Sequence, residues 1–273
     1  MCIEILKSKY LNPFAYIRKA RLLGAKLLLL SGLSLRVTTK IDNFKIKFVA
    51  TSYKEYVLRA QASYVREAVT MCWLRTIVGE TEVVYDVGAN VGAYSLYAGY
   101  KLQHNGGLVY SFEPAFTNFP SLCRNIEINR LNKTIIPYPL AFGKATNEGK
   151  LFLRSTVTGD AMHGLLQPES EGNAFDSKFT QGVYITSVDE FSSNSDILFP
   201  NHIKIDVDGF ELEIVLGMKS VLNDCRLKSM MIEINADVSG DKIIRLVTDA
   251  GFQERMSEQW GKKNSFNKLF VRY

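Results

Sequence analysis

The chain has 273 residues, 47% hydrophobic and 22% charged, a composition that excludes a disordered or fibrous polypeptide and suffices for one catalytic domain with an extension. Its net charge of +5 is uneven: residues 1–47 hold ten Lys/Arg against Glu4 and Asp42, a balance of +8, so the remainder carries −3 and does not read as a basic surface for nucleic acid. Cys2, Cys72, Cys123 and Cys225 lie far apart with no Cys-x-x-Cys spacing, which excludes a disulfide framework or cysteine zinc site and fits a reducing cytoplasm.

Residues 3–35 mix basic and apolar side chains and run into Leu27-Leu28-Leu29-Leu30. Interrupted by Lys26 and Gly32, the apolar run falls short of the ~20 residues a spanning helix needs. The segment is expected to cap the domain, to pack on a partner, or to lie as an amphipathic helix on an anionic membrane, which would make the protein cytoplasmic with peripheral membrane contact through residues 1–35. Alternation in Arg36–Thr39 and Phe44–Val49 around Ile41-Asp42-Asn43 predicts a hairpin, and Tyr64–Arg75 has helical periodicity. Residues 1–78 are therefore read as an N-terminal helical and hairpin extension, and 79–273 as the catalytic domain.

The stretch Glu82-Val-Val-Tyr-Asp-Val-Gly-Ala-Asn-Val-Gly92 reads as a buried strand ending at Asp86, a glycine turn, and a helix from Ala93. A dinucleotide fingerprint needs glycine at the middle of the turn, where the backbone approaches a pyrophosphate; this chain has Asn90 there, which favours a cofactor without phosphates. A second strand, Leu108–Phe112, closes on Glu113, 21 residues after Gly92, where an acidic side chain accepts hydrogen bonds from ribose hydroxyls. An adenosine-like ligand with free ribose hydroxyls and an unphosphorylated polar tail is S-adenosyl-L-methionine, and Asp86, Gly88, Asn90, Gly92 and Glu113 are its candidate binding residues.

Helix 117–130 and strand 134–140 continue the alternation, which predicts an α/β fold: a doubly wound, mostly parallel, Rossmann-like sheet. From Gly143 to Gln181 the pattern weakens to a long Gly-, Ser- and Asp-rich segment, expected to be a lid insertion and carrying His163. His104 and His202 fall at the opposite sheet edge and are expected to be structural. In His202-Ile-Lys-Ile-Asp-Val-Asp208 the polar residues share one face, so a buried Lys204 needs a partner; Glu233, central to the next apolar strand, is the expected one, with Asp206 further along the same face. Asp206, His163, Lys204 and Glu233 are the candidate catalytic residues, with Asp206 the first choice of general base and His163 the second.

Five segments resemble, in order, the motifs of FkbM-type methyltransferases: Asp86–Gly92, Phe112-Glu-Pro114, Thr186–Glu190, Lys204-Ile-Asp-Val-Asp-Gly-Phe-Glu211 and Met231-Ile-Glu-Ile-Asn235. The family usually has Glu-Gly-Ala-Glu where this chain has Asp208-Gly209-Phe210-Glu211. The resemblance spans roughly residues 80 to 255. It implies a seven-stranded sheet closed by an antiparallel hairpin near Phe252–Met256 and Asn267–Arg272, and S-adenosylmethionine-dependent O-methylation of a sugar or other natural-product hydroxyl. No residue is assigned to a metal. The alternatives are a metal-dependent glycosyltransferase using Asp206 and Asp208, and a methyltransferase fold serving only as a binding module.

Overall fold

The computed structural model describes residues 13–260 and 264–273, with side chains over 21–259 and 264–273. The start of the basic segment, residues 1–12, lies outside the described residues. Helix α1 (Pro13–Leu30) leads into the hairpin of β1 (Leu35–Ile41) and β2 (Phe44–Ala50), paired antiparallel as the alternation predicts. A π-helix, Glu55–Ala62, follows, then α2 (Ser63–Arg66) and α3 (Ala68–Thr76). The single helix expected over Tyr64–Arg75 is broken at Glu67, whose φ of −115° and ψ of 78° leave the helical region. Among the described residues, no helix is long and apolar enough to cross a membrane.

The core repeats follow in order: β3 (Val83–Val87), α4 (Ala93–Leu102), β4 (Leu108–Phe112), α5 (Phe119–Ile128) and β5 (Ile135–Tyr138). The expected lid, residues 143–181, carries strands as well as loop. Between β6 (Ala141–Phe142) and β11 (Phe179–Thr186), which border it, lie β7 (Asn147–Leu153), β8 (Gly164–Leu165), β9 (Glu169–Ser170) and β10 (Asn173–Ala174), and β6, β11, β7 and β8 form one four-stranded sheet. After α6 (Val188–Ser192), the chain returns through β12 (His202–Ile205), α7 (Glu211–Leu216), α8 (Lys219–Asn223), β13 (Ser229–Asn235) and α9 (Gly240–Asp249) to the closing hairpin β14 (Gln253–Trp260) and β15 (Ser265–Val271).

The seven-stranded sheet has the order β14-β15-β13-β12-β3-β4-β5, parallel from β13 to β5, with β15 antiparallel to both β13 and β14. Strand residues feed two apolar layers by their parity. Val84, Val109, Met231 and Leu269 face α3, α4 and α5, whereas Val83, Tyr85, Ile203, Ile205 and Ile232 face α7, α8 and α9. Such two-sided burial is why these strands read as nearly continuous apolar runs. The chain leaves β3 toward β4 on one side and returns to β12 on the other, so the crevice between β3 and β12 is the topological switch point at which open sheets bind ligands.

Candidate active site

Three strand ends meet at that switch point. After β3, Gly88 (φ 84°) and Asn90 (φ 52°) take left-handed conformations, and Gly88 donates its N–H to Phe112 O at 3.0 Å. A Cβ on Gly88 would lie 1.9 Å from the Asp206 carbonyl oxygen, so glycine is required there by the close approach of β3 to the end of β12. After β4, the Glu113 carboxyl accepts the Asn90 N–H at 2.8 Å and the Ala115 N–H at 2.9 Å. Burial pushes Glu113 up to about 7, against these backbone donors. It is poised between acid and carboxylate near neutral pH.

After β12, Asp206 accepts from Lys204 Nζ at 2.5 Å. The expected Lys204–Glu233 pair does not form, and the register explains why: Lys204 stands opposite Met231, which sets Glu233 two residues beyond, level with Asp206. Glu233 instead hydrogen-bonds Asp206. Burial, and then the negative charge of Asp206, raise Glu233 well above the usual carboxylate range, so it is the protonated partner and donates. Burial also works on Asp206 in the upward direction, but the Lys204 ammonium and the Glu233 hydrogen bond outweigh it and hold the group at about 2. Lys204 is only 3% exposed, lies 5.0 Å above the Tyr94 ring, and has its charge sustained by Asp206, Glu67 and Asp86. Asp208, one turn further on at φ 62°, accepts the Met162 N–H at 2.6 Å; burial and then Asp206 push it up to about 7.

The remaining wall comes from segments remote in sequence. Ser52, Lys54 and Arg59, on and just before the π-helix, bind Thr158 O, Asp160 Oδ2 and Gly159 O respectively, at 2.5, 2.5 and 3.0 Å. Asn90 and Asn118 donate their side-chain amides to Asp160 O at 2.8 and 3.2 Å, and Asn118 accepts the Gly159 N–H at 2.8 Å. The insertion is thereby latched over the switch point. It encloses a cavity of about 550 Å³ lined by Gly88, Asn90, Glu113, His163, Asp206 and Glu233 among others. That volume lies within the range of small-molecule sites. His163 is half-buried, with both ring nitrogens buried and unpartnered among the described residues, and burial lowers its pKa below the ordinary histidine value.

The cavity thus gathers most of the residues singled out by sequence. Asp86 and Gly92 do not line it. Asp86 lies beneath α4, accepting Ser95 Oγ at 2.5 Å, and a Cβ on Gly92 would meet Leu122 at 2.6 Å, so this glycine serves helix packing. Lys204 sits behind Asp206 and is likewise not on the wall. His202 is structural: its ring bonds Ser229 Oγ at 2.7 Å and Glu82 Oε2 at 2.5 Å at the far edge of the sheet. Sequence reasoning missed Lys54, Arg59, Glu67 and Asn118, all of which line the cavity. A π-helix at a site wall is a recurring feature of functional regions, but it has no simple sequence signal. Among the described residues, no group of three or more His, Cys, Asp or Glu side chains is arranged to hold a metal ion.

Residues 86–254 match the family described as Methyltransferase FkbM domain. Over 172 residues the chain is 28% identical to the hexuronic acid methyltransferase AglP of Haloferax volcanii, which covers 63% of this chain and 63% of that protein. The chain therefore matches just under two thirds of that relative's length. Its fold is similar to that of the methyltransferase FkbM of Methylobacillus flagellatus, with a TM-score of 0.50 and 14% identity over 93% of this chain and 60% of that one. A precorrin-6y C5,15-methyltransferase of Geobacter metallireducens aligns with a TM-score of 0.45 and 14% identity over 78% of this chain and 89% of that one.

Proposed function

The chain belongs to the FkbM methyltransferase family, and from that premise we propose that it is an S-adenosylmethionine-dependent O-methyltransferase acting on a sugar hydroxyl, with a hexuronic acid-containing glycan as the acceptor class. The observation that carries this reading is one cavity lined both by the Gly88–Asn90 turn with Glu113 and by His163, whose ring nitrogens are unpartnered among the described residues. The donor set suits the cofactor. Glu113, at the carboxyl end of β4, is within the cavity to accept ribose hydroxyls, and the ionised Asp206 on the same wall favours a ligand that carries sulfonium and ammonium charge. When bound, S-adenosylmethionine supplies an already activated methyl group.

The chain's own residues then have three tasks. Glu113 and the Gly88–Asn90 turn hold the cofactor. The latched insertion excludes water and fixes the acceptor, a proximity effect that lowers the barrier by several kcal/mol, of the order known for oriented reactants. His163 takes the hydroxyl proton; burial favours the neutral imidazole, which leaves one ring nitrogen as an acceptor. Asp206, held at about 2 by Lys204 and Glu233, is too weak a base for that task and serves as an acceptor for acceptor-sugar hydroxyls. Arg59, which lines the cavity, would meet a uronate carboxylate.

Incubation with isotopically methyl-labelled S-adenosylmethionine and glucuronate-containing oligosaccharides, followed by mass spectrometry, tests the proposal. An alkali-stable methyl ether is expected. An alkali-labile methyl ester would show that a carboxylate, needing no base, is the acceptor, and His163 would lose its role.

A further inference from the structure

We propose that the outer face of α1 and the basic surface that continues from it dock this protein on an anionic lipid bilayer. The inner stripe of the helix is Ala25 and Leu29, each 7% exposed. The opposite stripe, Leu23, Leu27 and Leu30, is 59%, 59% and 73% exposed, and Leu33 beyond the helix end is 55% exposed. Spacings of four and three residues put those leucines on one side. A surface helix ordinarily shows water its polar face; this one shows water its leucines, flanked by the exposed Arg21 and Lys26.

The hairpin after the helix supplies the charge. Alternation turns Arg36, Thr38, Lys40, Lys45 and Lys47 outward, all exposed, and the register sets Lys40 directly opposite Lys45. Like charges facing each other across a strand pair are unfavourable. Among the described residues, Lys40, Lys45 and Lys47 have no carboxylate partner. Beside them an open groove of about 720 Å³ is lined by Ser34, Arg36, Arg124 and Arg130 with Glu127 as its single acid. Apolar side chains bordered by an uncompensated basic face match the acyl and phosphate layers of an anionic leaflet, and the +8 balance of residues 1–47 has the same sign. Docking there would bring the cavity near the surface, because Lys26 Nζ lies 5.9 Å from the centroid of the Tyr53 ring and the next residue, Lys54, lines the cavity. The inference does not depend on the reaction.

Flotation of the full chain with phosphatidylcholine vesicles, with and without phosphatidylserine, at low and high salt, decides the matter. Phosphatidylserine-dependent, salt-sensitive flotation is expected, with each engaged basic side chain changing partitioning about five-fold. A Leu23→Ser/Leu27→Ser/Leu30→Ser variant and an Arg36→Gln/Arg124→Gln/Arg130→Gln variant should each lose at least that much while keeping the parent melting temperature. Absence of flotation by the parent, or flotation unchanged in both variants, overturns the proposal. So does a parent that is dimeric without lipid and becomes monomeric in the leucine variant, since the face would then join two copies of the chain. If either triple variant unfolds, Leu27→Ser and Arg124→Gln alone are compared with the parent, and unchanged flotation in both has the same meaning.

Discussion

Lys204 Nζ lies 2.5 Å from Asp206 Oδ2, two residues along the same face, and this bond helps hold Asp206 ionised against its burial. With the ammonium in place, Asp206 is ionised and Glu233 keeps its proton. Removing it would leave Asp206, Glu67 and Asp86 around an empty site. Lys204→Met should therefore cost about 3 kcal/mol or more, the range for one partner lost from a buried ion pair. Chemical denaturation measures this directly; a loss within experimental error would mean that the pair is dispensable.

Glu113 gives a pH dependence with a defined sign. The carboxylate accepts hydroxyl donors better than the acid does, and the group titrates at about 7, so cofactor affinity should rise as pH increases through about 7 and then level off. Glu113→Ala removes the charged acceptor, and hydrogen bonds to charged groups are worth about 1.5–3 kcal/mol, so affinity should fall at least tenfold. Calorimetry at pH values on either side of 7 checks both expectations. A flat profile in the parent argues that this carboxyl does not meet the ribose.

The same titrations act on the unliganded fold. Burial raises Glu113 and Glu211 from an ordinary 4.5, and Asp208 from 3.8, to about 7 in each case. Groups whose folded pKa is raised contribute stability that is complete below the unfolded value and is lost as pH rises through the folded one. The melting temperature of the unliganded protein should thus decline between about pH 4 and 7, and S-adenosylmethionine should restore more of it at the alkaline end. A melting temperature that climbs over that interval would contradict the assignment of these three groups.

If His163 is the base, His163→Ala should cut turnover by about 10²-fold or more while cofactor affinity is retained. The acid limb of the parent's turnover profile should fall below the ordinary histidine value near 6.5, since burial, the largest influence, favours the neutral ring. An intact rate in the variant, or an acid limb unchanged by the substitution, would falsify the role.

Much of this was legible in the sequence because it is local. Period-two alternation over His202–Asp208 puts Lys204 and Asp206 on one face, and the interval from the glycine turn to Glu113 follows from one strand–helix–strand unit. The partner of Lys204 was not legible, because either carboxylate on that face satisfies the pattern and only the pairing of Lys204 with Met231 decides between them. The strands inside the insertion are not legible in the sequence where they are shortest: β8, β9 and β10 are two residues long, too short for any periodicity. Its latch depends on Asn90 and Asn118 meeting Asp160 O, contacts 70 and 42 residues apart in the chain. Arg59 enters the site through a π-helix, whose sequence carries no distinguishing repeat.

The latch itself is separable from the turn's conformation. Asn90 adopts φ 52°, which glycine tolerates, so Asn90→Gly should keep the backbone while losing the hydrogen bond to Asp160 O. A bond of this kind contributes about 1 kcal/mol. KM should rise about five-fold with a smaller change in kcat, measured by steady-state kinetics; an unaltered KM would mean that Ser52, Lys54, Arg59 and Asn118 hold the insertion without it.

The most direct test of the account is a calorimetric titration of the purified protein with S-adenosylmethionine, with NAD as the competing candidate. One saturable site for S-adenosylmethionine, weakened at least tenfold in Glu113→Ala and absent for NAD, is the predicted result. Tight binding of NAD, or no heat with S-adenosylmethionine, would contradict it.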